Sequence, residues 1–535
     1  MPIPEYKPDT PWVPEEWKQI YYSYDYYAAW YAGDIRKLEE VHKARAHPST
    51  PSNAFWAREV KEGESTKLHV PIAADIAQAS ADLLFSEPPE VVIPAKTGSG
   101  VPGEEDLATE AEAKNTQARL DYIIERGEVF NRLVEAAETQ SPMGGVFLKV
   151  VWDEDVLDVP VLAVVQPDLA LPEFKWGVLQ AVTFWKELPN INPRQDIVYR
   201  FLERHEKGVI YRALYRGTRS QLGIRVGLAE HPETENLEDE EVLPVEDLIV
   251  RYVPNMRPNR LLRGSSLGQS DLAGVEGLMD SLDEAFTSWM RDIRLAKARV
   301  IVPESWLEFN DQGQPYFDTD REIFTKLNID PLTAGESGNA MTVAQFAIRM
   351  EEHRQTCLEL IERIITHAGY SPQTFGLKIE GSSESGTALN LRERRSYITK
   401  SKKERYWTHA LEDIFEIMLA VDAKVFGSNI KPFRPSVKLA DALSFDLRQV
   451  AETINILNTA QAISIETKVR MAHPDWSEEQ IREEVERIKE EQGLGTPIVE
   501  PSPLPSGQPD EEEEGEEQGE EGAEETPEEL DPDLP

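Results

Sequence analysis

The sequence predicts an α+β protein, largely helical, built from several modules. Three observations carry this. At 535 residues the chain is too long for one hydrophobic core. Two long stretches, about 270–299 and 356–426, repeat apolar residues at i, i+3 and i+4, the period of an amphipathic helix. Between about 156 and 253 the chain instead alternates short β-rich runs with turn residues, which predicts an antiparallel sheet.

Composition narrows the class. Hydrophobic residues make up 40%, enough for packed cores. No apolar run approaches the roughly 20 residues that span a bilayer, so no membrane partner is expected. Met1-Pro-Ile-Pro-Glu-Tyr6 has neither a basic nor an apolar leader region, so nothing predicts secretion. The single cysteine, Cys357, cannot form a multi-cysteine metal site and sits beside an apolar helix face, where it reads as a small buried hydrophobe.

Charge is the strongest compositional signal. The formal net charge is −42, and residues 500–535 carry 16 acidic residues with no Lys or Arg. Removing those sixteen leaves −26, so the body is acidic in its own right. An acidic body argues against gripping nucleic acid over the whole surface, because phosphates need counter-charges. It does not argue against letting DNA slide past.

In chain order, five prolines in the first fourteen residues predict an extended arm. Residues 15–32 hold Trp17, Tyr21, Tyr22, Tyr24, Tyr26, Tyr27, Trp30 and Tyr31. That density could stack bases, but core and interface are the preferred reading. A helix is expected over 73–85, a short strand over 90–94, and a second helix over about 106–140. Met143 to Trp152 reads as a glycine-led strand, and further strands are expected at 159–165, 176–186, 196–206, 208–216 and 248–253.

From Ser270 to Arg299 the apolar residues Leu272, Val275, Leu278, Met279, Leu282, Phe286, Trp289 and Ile293 predict a rod of roughly 45 Å. Ser266 or Ser270 would cap its start, and Arg291, Arg294, Lys297 and Arg299 suit the negative C-terminal end of its dipole. Gly274 and Gly277 cost about 1 kcal/mol each against Ala, which close approach of a neighbouring helix would justify. A small irregular segment follows from Val300 to about Met341 and reads as two or three short strands and one short helix. A returning helix carries Leu358, Ile361, Ile364, Ile365 and Ala368, and ends at Gly369 before Pro372. A Gly/Ser-rich loop then leads, at about Thr387, into a long helix with Arg392, Arg394, Arg395, Lys400, Lys402, Lys403 and Arg405 in its first half. Its second half, Trp407, Leu411, Ile414, Phe415, Met418 and Val421, is amphipathic. Helices are expected at 446–459, 465–471 and 477–492. Residues 493–535 have almost nothing to bury and read as disordered.

No catalytic signature appears. The nine histidines make no His-Glu-x-x-His, and there is no nucleophile elbow, phosphate-binding lysine loop or dinucleotide fingerprint. Asp318/Asp320 and Asp153/Glu154/Asp155 read as solvated loop charge. No catalytic residue, metal ligand or cofactor is therefore expected.

The order of pieces resembles the portal proteins of tailed double-stranded DNA bacteriophages, particularly those of Gram-positive hosts. The residues that carry the resemblance are the aromatic N-terminal helix, Leu68-His-Val-Pro-Ile-Ala73 followed by Ala81-Asp-Leu-Leu-Phe85, and Gly264-Ser-Ser-Leu-Gly-Gln-Ser-Asp271. The rod and small segment follow, then Gly369-Tyr-Ser-Pro-Gln-Thr-Phe-Gly376 and Gly386-Thr-Ala-Leu389 leading to the basic helix.

The resemblance implies a ring subunit with a wing (1–265), a first stem helix (266–299), a clip (300–342) and a second stem helix (343–369). It further implies a channel loop (370–386), a long wing helix (387–435), a helical crown (436–492) and an acidic tail (493–535). It implies a homo-oligomeric ring, expected to be a dodecamer, at one capsid vertex of the virion, assembled in the host cytoplasm. Expected partners are double-stranded DNA in the channel, the terminase large subunit, the head–tail adaptor, the major capsid protein and a scaffold protein. Lys378, Glu380, Ser382, Ser383, Glu384 and Ser385 fall in the channel loop. Arg291, Arg294, Lys297 and Arg299 fall on the stem. Arg392, Arg394, Arg395, Lys400, Lys402, Lys403 and Arg405 are candidate contacts to DNA or to a neighbouring subunit, and the sequence does not choose. Two other classes remain open at this point: a capsid or scaffold-like protein without a channel, and a metal-dependent nucleic-acid enzyme.

Overall fold

The aromatic run near the N-terminus folds as a helix and turns most of its rings inward. In the computed structural model it forms α1 (Lys18–Ala32), with Tyr21, Tyr24, Tyr26, Tyr27 and Trp30 buried and Tyr22 left 63% exposed. The core reading of these aromatics therefore holds for most of them. The structure describes residues 3, 6–45, 54–58, 67–96, 108–190, 196–295, 299–301, 308–309, 315–316, 342–344, 349–377, 386–440, 447–473, 476 and 478–492, with backbone alone at 45, 295, 299–301, 308–309, 315–316, 342–344, 386–392, 447–449 and 478–479. The chain divides into two units, residues 1–444 and 445–535. About half of the described residues are helical, and the fold is α+β.

Gly33, at φ +63°, closes α1 in the left-handed region that glycine tolerates. The chain then enters α2 (Ile35–Arg45) and, after Pro71, α3 (Ile72–Phe85), whose Ile72, Ala73, Ile76, Ala77, Ala81 and Leu84 are buried at helical spacing. Strand β1 (Glu90–Val92) follows. The single helix expected over 106–140 is two, α4 (Glu110–Arg126) and α5 (Val129–Met143). The break falls at Gly127–Glu128, where Glu128 takes φ +49° and no continuous helix can pass. Apolar residues fall on both sides of the break, so periodicity alone does not reveal it.

Six strands lie where the alternation places them, and three short ones were not expected. They are β2 (Gly145–Val151), β3 (Val161–Val165), β4 (Ala170–Lys175), β5 (Val178–Leu188), β6 (Val198–Glu206), β7 (Val209–Gly217), β8 (Ile224–Val226), β9 (Glu240–Val242) and β10 (Val250–Pro254). Strands β4 to β8 form one antiparallel sheet in chain order, with β9 added on β7, and β10-β2-β3 form a second. Gly208, at φ +71°, turns the chain between β6 and β7. The expected antiparallel sheet is thus present. The short strands β4, β8 and β9 were not separable from turns by pattern.

The rod is shorter than expected. Residues 271–275 are turns, and α6 runs Glu276–Leu295, about 30 Å at 1.5 Å per residue. Ser270 does not cap it: its Oγ accepts from the Leu272 N–H at 3.0 Å inside the turn. Gly274 takes φ +94°, which breaks the helix there. Neither Gly274 nor Gly277 has an atom within 4 Å of where a Cβ would stand, so within the subunit they do not mark a close helix approach.

Beyond α6, β11 (Arg299–Ile301) pairs with β14 (Thr342–Ala344), and between them β12 (Glu308–Phe309) pairs with β13 (Pro315–Tyr316), both antiparallel. The expected short strands are therefore present, and the short helix expected in this segment lies outside the described residues. The returning helix α7 is Met350–Ala368, beginning later than residue 343 because Thr342–Ala344 is strand. Gly369, at φ +104°, ends it as expected. Helix α8 spans Gly386–Val425, starting within one residue of the expected Thr387 and ending ten residues short of the 435 given for the long wing helix. Strand β15 (Ser436–Lys438) then returns to pair with β1.

Two large cores, with three smaller apolar clusters among the described residues, organise residues 1–444. One gathers α3, α4, α5, β2, β3, β10 and the distal half of α8. The other gathers α1, α2, α3, α6 and α7 around Trp30, Trp56, Leu272, Met279, Leu282, Ile364 and Ile365, and buries Cys357 as expected. In residues 445–535, α9 (Leu447–Thr459), α10 (Ile465–Ala472) and α11 (Glu478–Glu491) follow, with Val469, Ile481 and Val485 as a small apolar centre. The acidic tail lies outside the described residues.

Candidate functional site on the long helix

Helix α8 is fixed by its distal half. Trp407, Leu411, Ile414, Phe415, Met418 and Val421 are fully buried. The Trp407 ring meets Phe85 edge-on at 4.9 Å, and its Nε1 donates to Gln140 Oε1 at 2.9 Å. Arg119 grips Asp422 through Nε and Nη2 at 2.9 and 2.7 Å, and Arg251 Nε donates to Asp413 at 2.8 Å. The basic half is therefore held out on a rigid element.

That half does not present one charged face. Ser396, Thr399, Lys400, Lys403 and Trp407 are all buried, and their spacing continues the apolar stripe backwards along the helix. Lys403 is 1% exposed. Its three ammonium protons meet three acceptors: Asp271 Oδ2 at 2.6 Å, Ser80 Oγ at 2.7 Å and Tyr370 Oη at 2.9 Å. Asp271 is equally saturated. Its Oδ2 also accepts from Ser141 Oγ at 2.7 Å and Tyr370 Oη at 2.8 Å, and its Oδ1 accepts from Asn255 Nδ2 at 2.8 Å.

Burial pulls the Lys403 ammonium below its ordinary pKa, with Asp271 opposing. Burial likewise raises the Tyr370 hydroxyl, and Asp271 adds to it. Lys400 is 3% exposed and donates to the Ala440 carbonyl at 2.6 Å. Lys400 and Lys403 therefore leave the set of candidate DNA or subunit contacts. Each lies on the inward face, where its charge joins parts of one subunit.

The opposite face is different. Arg394, Arg395, Lys402 and Arg405 are exposed, and none makes an ion pair among the described residues. Some arginines elsewhere on this chain find carboxylates, such as Arg58 with Glu284, Arg354 with Glu351 and Arg363 with Glu359, while Arg36, Arg219, Arg263 and Arg291 are exposed and make no ion pair among the described residues. Arg394, Arg395 and Lys402 instead line a cleft of about 720 Å³ with Arg257, Arg260 and His367. Its walls also include Met256, Pro258, Ala273, Ala368 and Ile398. Arg405 stands apart, beside His409 and Glu412.

The remaining candidates divide as follows. Lys378, Glu380, Ser382, Ser383, Glu384 and Ser385 lie outside the described residues, as does Lys297. The Arg392 side chain does too, although its backbone is helical. Arg291 and Arg294 are exposed on the last turns of α6, where Arg294 Nε donates to the Met290 carbonyl at 3.3 Å. Arg299 lies on β11.

Helices α6 and α7 run antiparallel. Arg349 and His353 meet Asp292 at 2.7 and 3.0 Å near one end, and Tyr370 meets Asp271 at the other. Asp283, buried on α6, accepts from Trp56 Nε1 at 3.0 Å, His69 Nδ1 at 2.8 Å and the Val70 N–H at 2.8 Å. The Leu68–Ile72 segment singled out in the sequence is thus strapped to α6.

Sequence reasoning missed Arg257 and Arg260 because they reach the cleft from a loop far from α8 in the chain. It also missed the three acceptors of Lys403, which come from three separate parts of the chain. Among the described residues no group of three or more His, Cys, Asp or Glu converges to hold a metal, and no helix is long and apolar enough to cross a membrane.

Comparison with known proteins adds three findings. Residues 213–494 match the family model described as phage portal protein, SPP1 Gp6-like. No curated protein matches the chain. Among solved structures, a chain from the virion of a native gene transfer agent particle is 11% identical, with 75% of this chain and 89% of that chain covered and a TM-score of 0.37. A chain from the neck of the native gene transfer agent particle, computed with C12 symmetry, is 12% identical over the same shares, with a TM-score of 0.34. At those values the two structures stand as likenesses only. The family match extends over more than half of the chain, so this protein belongs to the SPP1 Gp6-like phage portal proteins, a family of structural proteins rather than enzymes.

Proposed function

We propose that this protein assembles into a homo-oligomeric ring, with twelve copies expected, at one vertex of a phage capsid. In this reading the ring is the channel for DNA packaging and ejection, and it is the attachment point for the terminase and the head–tail adaptor. The single observation that carries the reading is the family match over 213–494, which takes in α6, α7 and α8 together.

The architecture supports the assignment of parts. The antiparallel pair α6 and α7, joined through β11 and β14, suits a stem that runs out to a clip and back. The clip, residues 300–342, would receive terminase and adaptor. Residues 1–265 and α8 would form the wing, residues 370–386 the channel loop, and residues 436–492 the crown. An acidic conduit suits DNA that must slide, since each fixed phosphate contact adds salt-dependent affinity. The virion would be its final location, with assembly in the host cytoplasm.

Mass photometry of the purified full-length chain tests the ring. The expected result is one dominant species near twelve times the 60.6 kDa chain mass. Monomer at every concentration and salt level would contradict it.

A further inference from the structure

We infer that the basic cleft between α8 and the 256–273 segment is a subunit joint, receiving carboxylates from a second copy of this chain. The inference rests on the ring reading and goes beyond it by naming the surface and its chemistry. Arg257, Arg260, Arg394, Arg395, Lys402 and His367 line one concavity of about 720 Å³. Arg260, Arg394, Arg395 and Lys402 have no carboxylate partner among the described residues, in a chain with 98 acidic and 56 basic residues. Arg257 adds a buried Nε with no acceptor, its Nη2 being taken by the Ser266 carbonyl.

Exposed arginines and lysines can stand solvated singly, but here Arg260, Arg394, Arg395 and Lys402 gather on one concavity and make a concentrated positive surface. Copies of so acidic a chain repel one another, so a joint between them needs a positive surface facing a negative one. The planar guanidiniums bind carboxylates through paired hydrogen bonds. Acidic surface is available: Glu235, Glu238 and Glu240, exposed in the turn before and at the start of β9, make no ion pair among the described residues.

The shape favours a protein segment over DNA. The basic groups share one concavity with the apolar Met256, Pro258, Ala273, Ala368 and Ile398 and the polar Gln269, Ser270, Asp271 and Thr399, whose Asp271 carboxylate is already taken by Lys403. A duplex, whose major groove alone is about 12 Å wide, lies across such a pocket without entering it. Nor would a conduit gain from arginines that clamp phosphates, because they would retard sliding.

The test uses the full-length protein and the triple variant Arg394→Glu, Arg395→Glu, Lys402→Glu, with Arg395→Gln, Lys402→Gln as a milder second form. Circular dichroism confirms that each is folded. Assembly is followed by mass photometry from low to high sodium chloride, and binding of a labelled mixed-sequence duplex is measured alongside. The expected result is a wild-type ring that loosens with salt, a folded but monomeric triple variant, and a double variant whose association weakens at least about tenfold.

Rings from the triple variant with the same salt response as wild type would overturn the inference. If those rings had lost duplex binding, DNA phosphate would be the occupant instead; if they had kept it, the cleft would have neither occupant. A wild-type protein that is itself monomeric would sink the ring reading, an outcome distinct from a defect confined to the variants.

Discussion

Lys403 Nζ lies 2.6 Å from Asp271 Oδ2, and the two side chains are only 1% and 2% exposed. The pair joins the long helix to the turn that leads into α6, with Ser80 and Tyr370 completing the ammonium's acceptors.

Breaking one side of this pair should destabilise the subunit strongly. Lys403→Met leaves a buried carboxylate without its cation, a change that typically costs about 3–5 kcal/mol. Pairing it with Asp271→Asn should cost less than the sum of the two single changes, since the members of one network do not act independently. Urea unfolding of the three variants checks this. Equal and additive losses would show that the contact contributes little.

The exposed residues of the same helix should behave oppositely. Arg394→Ala and Arg395→Ala remove no ion pair among the described residues, so thermal unfolding of the unassembled chain should change by no more than about 0.5 kcal/mol. A loss as large as that of Lys403→Met would mean that these arginines are bound inside the subunit.

This contrast shows how far the sequence could be read. The bounds of α8 were legible because Leu411, Ile414, Phe415 and Met418 repeat with the helical period and Gly427 follows. The inward turn of Lys400 and Lys403 was not, because lysines are ordinarily read as solvated. The signal was present: residues 396, 399, 400 and 403 continue the Trp407 stripe. By contrast, nothing local announces the cleft, since Arg257 and Arg260 meet Arg394 only through the tertiary fold. The α4–α5 break and the late start of α6 were hidden for another reason. Gly127–Glu128 and Gly274 interrupt the backbone without interrupting the apolar spacing.

Gly145 should not accept a side chain. A Cβ there would collide with the Tyr252 ring and hydroxyl, which the β2–β10 pairing holds in place. Gly145→Ala should therefore destabilise by about 1–3 kcal/mol, read as a lower midpoint in urea. Gly277→Ala, which meets nothing within 4 Å, should be neutral or stabilising by about 1 kcal/mol.

Stability should fall on acidification through a cluster in the large sheet. Burial would raise the Glu203 carboxyl, but the His205 hydrogen bond at 2.6 Å and the Lys149 charge reverse this and hold it well below the usual carboxylate range. Burial holds His205 below its ordinary value of 6.5. Both shifts mean that the unfolded chain takes up protons first, so stability drops as pH falls below about 6.5 and further through the carboxylate range. Glu203→Gln should flatten the carboxylate part of that fall, and melting temperature against pH would show it. An unchanged slope would remove Glu203 from the account.

The central claim is that copies of this chain close into a ring around a channel, and the most direct measurement is electron microscopy of the purified full-length protein. The account predicts class averages showing one rotationally symmetric ring with an open centre. Featureless monomers, shells or sheets under conditions that keep the protein folded would contradict it.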